Sequence, residues 1–524
     1  MADIQSQLSL AEIQNFKGKY PKQIWSLFFT EMWERFCFYG NRGMLVVFMI
    51  EILKMSDAES NLKYAAIQAF VYAFTFIGGL FADKILGFRK SLFWGGFLMI
   101  AGSLLLGINA AKFFYVGICL IVVGTGFFKP NISSMVGELY SAGDIRRQAG
   151  FNLFYMGINV GAFFGGFVCV WVGEKYSWNL AFALSGIFMI LGLISFYLTK
   201  KNLGPIGLQP QNITKNKKGK IFEIGTYAFS LVVLPLIFLM IKNSTLVVAN
   251  FGNHEITLID AFMYIIGFLA LVYFFYEMSK LSWKENRKLL VALIFIIYSI
   301  FFWAIFEQAG GSLSQFAYYN LRSELLFVNA YPNSINNSAN SVFVILFSAV
   351  VGLFWLSLAK RKIEPNAVIK FGLGFLFLAG AFYIFYSTKF FADASGKTSL
   401  NIFTLAYLVV TFGELCISPV GLSQMTQLSP KKLGGMMMGM WFLASAYGQY
   451  LAGIFGAGMT TANPNASLLD KLISYTTGYK HLAFYAIVLG FVLIIISPLI
   501  KKLIGKTNTE DEENITNIKT TIYD

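Results

Sequence analysis

The chain has 524 residues, 56% hydrophobic and only 13% charged, with a mean hydropathy of +0.63 and a formal net charge of +14. Ordinary soluble domains carry about 25% charged residues, so a soluble globule is excluded. The basic residues punctuate apolar runs instead of gathering on a polar domain, which points to a lipid bilayer as the partner and to no nucleic acid.

Crossing a hydrocarbon core of about 30 Å takes roughly 20 apolar residues in a helix. In chain order, such runs lie near 24–50, 64–82, 91–110, 113–137, 151–172, 179–198, 222–242, 258–278, 289–310, 340–359, 367–387, 401–423, 434–458 and 481–500. The polar segment 1–22 precedes them. The first run is too long for a signal peptide and has no small-residue cleavage site, so no removal is expected. Cys37, Cys119, Cys169 and Cys416 fall inside apolar runs and read as small hydrophobes, not as a disulfide frame.

Short cytoplasmic loops are enriched in lysine and arginine. Every second connection here is basic: Lys84, Arg89 and Lys90; Arg146 and Arg147; Lys200 through Lys220; Lys280 through Lys288; Lys360 through Lys362; Lys431 and Lys432; and Lys501 through Lys506. The alternate connections hold isolated charges such as Lys54, Lys112, Lys175 and Arg322. An even number of spans with both termini cytoplasmic satisfies this pattern. The basic connection near 199–221, with Pro205 and Pro210, reads as a hinge between two six-span halves. The expected organisation is an all-α integral membrane protein: a cytoplasmic segment 1–22, a six-helix bundle 23–200, a linker with two inserted helices 201–287, a second six-helix bundle 288–503, and a polar cytoplasmic tail 504–524.

An ionisable group inside a span costs at least about 2.5 kcal/mol and usually faces a bundle interior or an aqueous cavity. The first span holds Glu31, Glu34, Arg35 and Arg42, and at 100° per residue Glu31, Arg35, Tyr39 and Arg42 share one stripe. The fourth span carries Lys129 next to Pro130, the seventh Glu307 with Gln308, and the tenth Glu414 ahead of Pro419. For Lys129 and Glu414, half of a buried structural ion pair is the alternative. Four acids against three bases leave a formal balance of minus one, so one bound proton neutralises the set, which suggests proton coupling. His254 and His481 fall at loop or span ends, leaving neither a histidine relay nor a histidine metal site in the membrane, and an intramembrane hydrolase is not expected.

Gly157, Gly161 and Gly165, and likewise Gly435 and Gly439, repeat every four residues, a spacing that lets membrane helices approach closely. Asn159 lies within the first of these runs, and Tyr72, Trp303 and Trp441 sit in mid-span, where lining a pocket competes with simple packing.

The stretch GGLFADKILGFRKSL resembles the loop signature of the major facilitator superfamily. EMWERFCFY resembles the E-x-x-E-R-F-x-Y-Y motif of the proton-dependent oligopeptide transporters, prokaryotic type. GTGFFKPNISSMVGELY, FYMGINVGAFFG, FWAIFEQAGGS, GELCISPVGLS and MMGMWFLASAYG resemble that family's other signatures, in order along nearly the whole chain. The resemblance implies a major facilitator fold and a monomeric symporter of the cell (inner) membrane. It would import di- and tripeptides with protons, use no other cofactor and catalyse no covalent reaction. Glu31, Glu34 and Arg35 would couple protons, Arg35 and Lys129 would attract the peptide carboxylate, and Glu414, with Asn159 and Asn340, would meet the amino terminus. Arg42 and Glu307 would form a gate between the halves, and Tyr39, Tyr72, Trp303, Trp441, Phe442 and Ser445 would line the pocket. Phe38 departs from the motif's first tyrosine, removing a hydroxyl that would reach peptide backbone. Another small zwitterion or anion is the alternative solute, and a channel is the rival class.

Overall fold

The computed structural model describes residues 8–504 apart from Ala142, Ile145, Lys215, Asn216, Asn253, Lys431, Lys432 and Pro464. The tail expected after Lys506 and the basic pair Lys431 and Lys432 therefore lie outside the described residues. A short helix α1 (Leu10–Gln14) opens on a Ser9/Glu12 capping box. The first half follows as α2 (Ile24–Glu51), α3 (Asp57–Phe81), α4 (Phe88–Glu138), α5 (Arg147–Lys175) and α6 (Trp178–Thr199). α4 contains two spans. Its chain turns at Asn109, where the backbone is extended (φ −159°, ψ 96°) and the side chain accepts from the Lys112 amide at 2.9 Å.

Beyond the short α7 (Gln211–Thr214), the inserted pair consists of α8 (Lys217–Val232) with α9 (Leu234–Lys242), a ribbon of β1 (Val247–Phe251) and β2 (His254–Thr257), and α10 (Leu258–Met278). Pro235 lies in the first turn of α9, where its missing amide is tolerated, so the span is broken at Val233 and restarted. The second half comprises α11 (Trp283–Phe306), α12 (Ser312–Asn320), a ribbon of β3 (Glu324–Leu325) and β4 (Val328–Asn329), α13 (Pro332–Lys360), α14 (Ala367–Ser387), α15 (Leu400–Leu428), α16 (Gly434–Gly458) and α17 (Leu468–Ile504). Among the described residues, 11 helices are long and apolar enough to cross a bilayer. Taking α4 as two, and adding α2 with its internal charges and the glycine-rich α16, restores all the spans expected from the sequence.

Several boundaries differ from the expectation; α3 starts at Asp57, not near 64, and α11 at Trp283, not near 289. α13 starts at Pro332, not near 340, because its polar first turns bury Asn333, Ser334, Asn336 and Ser338 against protein, where hydropathy is no guide. α17 starts at Leu468 for the same reason, with Tyr475, Thr476 and Tyr479 buried. The seventh span breaks after Phe306, turns tightly through Glu307–Gly310 and resumes as α12. The connection expected as a hinge is docked: Arg89 donates to the Gly204 and Ile206 carbonyls at 2.6 and 2.7 Å, and Leu203 and Ile206 are buried.

The apolar core is divided. One cluster gathers residues of α1 to α6, α9, the start of α10 and Tyr450 of α16, and the other gathers the end of α10 with α11 to α17. Close helix approach within the first half rests on small residues. Gly157, Gly161 and Gly165 of α5 lie against Phe28, the Met32 carbonyl and Phe36, which stand one turn apart on α2. Gly439 meets Phe76, but Gly435 faces open space, so the close-packing role expected for it is not seen. Gly161→Leu is therefore expected to lower the melting temperature of the detergent-solubilised protein by several degrees. Gly435→Leu should leave it within about 1 °C, as a thermal-shift assay can read.

Candidate functional site

Between the halves lies a cavity of about 880 Å³, its open mouth included. Tyr39 and Arg42 reach it from α2, Tyr72 from α3, and Tyr155 and Asn159 from α5. The opposite wall is Trp303, Glu307, Asn336, Asn337, Asn340, Tyr407 and Glu414. Six of the expected site residues thus stand on one surface with the expected gate pair. The Trp303 indole nitrogen has no protein partner among the described residues.

On the side of the body away from the basic connections, here the far side, the cavity is closed. Arg42 pairs with Glu307, and its Nε donates to the Tyr64 hydroxyl at 2.6 Å, so the expected ion pair joins α2 to the break after α11. The break places Gly310 against Tyr64, where a side chain would collide. Further out, Lys471 of α17 pairs with Asp57 of α3 at 2.8 Å, and Tyr319 donates to the same carboxylate at 2.9 Å. Asn61 donates to Gln315 at 2.6 Å, Tyr318 to Glu51 at 2.5 Å, and Asn333 to Glu174 at 3.0 Å. Each of these bonds crosses between the halves.

Glu414 stands on α15, where it accepts from Asn340 at 2.9 Å and from the Tyr155 hydroxyl at 3.3 Å. Tyr155 belongs to the first half, so this bond also crosses the cavity. Asn340 is further held by Thr411 at 3.1 Å, and Asn159 donates to the Tyr155 carbonyl at 2.9 Å. The donors that Glu414 meets here, Asn340 and Tyr155, are both neutral.

Glu31, Glu34 and Arg35 form a separate buried cluster on α2, outside the cavity lining. The Arg35 Nε faces Glu31 at 3.1 Å and also bonds Glu34, with exposures of 2% for Arg35, 2% for Glu31 and 0% for Glu34. Glu31 Oε2, Glu34 Oε1 and Arg35 Nη2 have no hydrogen-bond partner among the described residues. Lys129 adjoins this cluster and the cavity wall together: its ammonium lies 4.7 Å from the Tyr72 ring centre and 6.0 Å from that of Phe38. The Phe38 ring also covers Arg35 at 5.0 Å. Phe38 is thus a buried spacer between two cations and lines a smaller cleft with Asn41 and Gln68, not the central cavity.

Three expected lining residues stand elsewhere. Trp441 is buried against Gly421 of α15, Ser445 donates to the Trp441 carbonyl within its own helix, and neither they nor Phe442 line the cavity. Conversely, the structure adds Tyr155, Asn336, Asn337 and Tyr407 to the cavity wall and Tyr64 to the far-side closure, none of them singled out by the sequence. Tyr155 lies one turn before Asn159 on the same helical face, a signal present in the sequence. Tyr407 donates to Asn336 at 2.6 Å, and Asn336 donates to the Ala309 carbonyl at 2.8 Å, bracing the broken seventh span.

The POT family profile matches residues 89–472. The chain is 34% identical to the "Uncharacterized transporter YclF" of Bacillus subtilis (strain 168), over 92% of this chain and 95% of that protein. It is 32% identical to the "Di-/tripeptide transporter" of Lactococcus lactis subsp. cremoris, over 93% of this chain and 97% of that one. Among solved structures, a glutamate-to-glutamine variant of peptide transporter POT in complex with alafosfalin superposes with a TM-score of 0.78 at 31% identity, covering 95% of this chain and 100% of that one. A POT family transporter in complex with 5-aminolevulinic acid superposes with a TM-score of 0.77 at 27% identity, covering 93% and 98%.

Proposed function

The chain belongs to the POT family, and on that premise we propose that it imports di- and tripeptides with protons across the cell membrane by alternating access. It is a carrier, not an enzyme, that needs no cofactor beyond the coupling proton and works as a monomer. Its basic side faces the cytoplasm, with both termini there. The closed far side then faces outward, and the conformation is the one that releases solute inward.

The observation that carries the reading is the division of charge around one cavity. Arg42 and Glu307 cancel one another. Glu31 and Glu34 against Arg35 and Lys129 make a formally neutral set on the first half, so the surplus negative charge of the buried groups belongs to Glu414 on the second. A peptide zwitterion placed between them gives its ammonium to Glu414 and its carboxylate to the side of Lys129 and Arg35. The first set then carries minus one. Buried net charge is costly, and one proton on Glu31 or Glu34 removes it. The zwitterion adds no net charge, so the buried groups sum to minus one with or without it, and one proton on the Glu31/Glu34 set makes the loaded site neutral. Because both peptide ends are fixed by charge and side chains vary, the aromatic and asparagine-rich space between suits a tolerant site.

Counterflow of labelled dialanine in proteoliposomes tests the substrate assignment. Exchange of internal unlabelled for external labelled dialanine is the expected result. Exchange of 5-aminolevulinic acid or another zwitterion without dialanine would leave a carrier of the same fold with a different solute.

A further inference from the structure

The inserted helices are largely exposed to lipid, so a few polar and aromatic contacts decide how they are held. Those contacts divide between the halves. α8 and α9 are fastened to the first half. Glu223 accepts from Lys90 at 2.6 Å, Ser230 accepts from the Trp94 indole at 2.9 Å, and the Lys242 carbonyl accepts from the buried Lys63 ammonium at 2.7 Å. Phe229 and Phe238 pack against Phe81 and Tyr115.

α10 crosses the seam. Ile259 and Met263, at its far end, join the first core, whereas Phe274 and Met278 join the second. Phe262 packs on Phe70 of α3 at 5.3 Å. In the same turns, Asp260 accepts from the Tyr450 hydroxyl of α16 at 2.5 Å, and the Met263 carbonyl accepts from the Tyr447 hydroxyl of α16. Gly267 leaves room for the Tyr447 hydroxyl, which a side chain there would strike. Asp260 is held in place by the Thr257 amide and hydroxyl at 2.8 and 2.7 Å, the capping box that starts α10. A carboxylate accepting from a phenol makes a strong, short bond. α3 and α16 are themselves packed on each other across the seam, with Gly453 of α16 against Ala65 and the Asn61 carbonyl of α3 at the far end and Gly439 against Phe76 at the other.

The geometry points to a role for the inserted hairpin: it is a clip across the α3–α16 seam, anchored to the first half by α8 and α9 and to the second by Tyr447 and Tyr450, that holds the far side closed. Opening that side separates α16 from α3. Either both tyrosine bonds break, or α10 is torn from Phe70 and its anchors on the first half. The clip thus stabilises the far-closed state independently of the Arg42–Glu307 pair.

The proposal rests on alternating access but not on which solute is carried, so its test uses no peptide. Spin labels at Lys112→Cys and Ser395→Cys, both exposed on far-side connections of different halves, report the separation of the halves there, and the four native cysteines are buried. With Tyr447→Phe and Tyr450→Phe together, which keep the rings, the ratio of long to short distances is expected to rise roughly fivefold or more over the unmodified chain, the effect of two lost hydrogen bonds. Arg42→Ala serves as the reference for opening. If Arg42→Ala shifts the distances and the tyrosine variant does not, the clip is wrong and alternating access stands. If neither shifts them, far-side opening itself is contradicted, and the clip with it.

Discussion

Glu34→Gln is expected to cut uptake driven by a pH gradient at least about tenfold in proteoliposomes while leaving counterflow within about threefold, since a hydrogen bond to a charged group contributes about 1.5–3 kcal/mol. Gradient-driven accumulation requires a group that gains and loses a proton as the carrier turns over. Counterflow under equal pH does not. Glu34 is fully buried, bonds the Arg35 Nε, and keeps one oxygen without a partner, so a proton placed there meets no competing donor. When that proton binds, the hold on Arg35 weakens and the guanidinium is free to attract a peptide carboxylate. Glutamine mimics the protonated acid permanently, so binding survives and coupling does not. Glu31 faces the same guanidinium nitrogen at 3.1 Å and has its own orphan oxygen. Glu31→Gln is therefore expected to act in the same direction. If both single variants retain full gradient-driven uptake, the cluster is not the proton site.

Glu414→Gln is expected to weaken competition by dialanine at least about tenfold, because it removes the charge opposite the peptide ammonium while keeping a side chain that fits between Asn340 and Tyr155. N-acetyl-dialanine, which has no ammonium, should compete weakly and to the same extent against both proteins. This contrast separates a lost charge contact from a distorted cavity, which would depress both ligands together. Equal loss for the two ligands would mean that Glu414 shapes the cavity and does not receive the amino group.

Much of this site was legible because charge in an apolar helix is rare and expensive. Glu31, Glu34, Arg35, Arg42, Lys129, Glu307 and Glu414 stand out from any hydropathy trace, and the Arg42–Glu307 ion pair lies where the resemblance implied. What escaped notice is neutral or polar. Tyr155 and Tyr407 carry no charge and look like any of the chain's 26 tyrosines until a partner is placed beside them. The Asp57–Lys471 pair joins two helix starts at opposite ends of the chain, and the apolar windows that located α3 and α17 excluded both. The polar starts of α13 and α17 bury Asn333, Ser334, Asn336, Tyr475 and Thr476 in protein, so a scale built on lipid transfer shortened these helices. Trp441 shows the converse error: a mid-span aromatic matched to a motif packs on Gly421 and not on the cavity.

The central claim is that a peptide and a proton cross together, and proteoliposomes containing a pH-sensitive dye test it most directly. With equal pH on both sides and a potassium–valinomycin clamp at zero voltage, external dialanine added to the unmodified chain is expected to acidify the lumen. Labelled dialanine entering under the same clamp with no acidification would contradict the account.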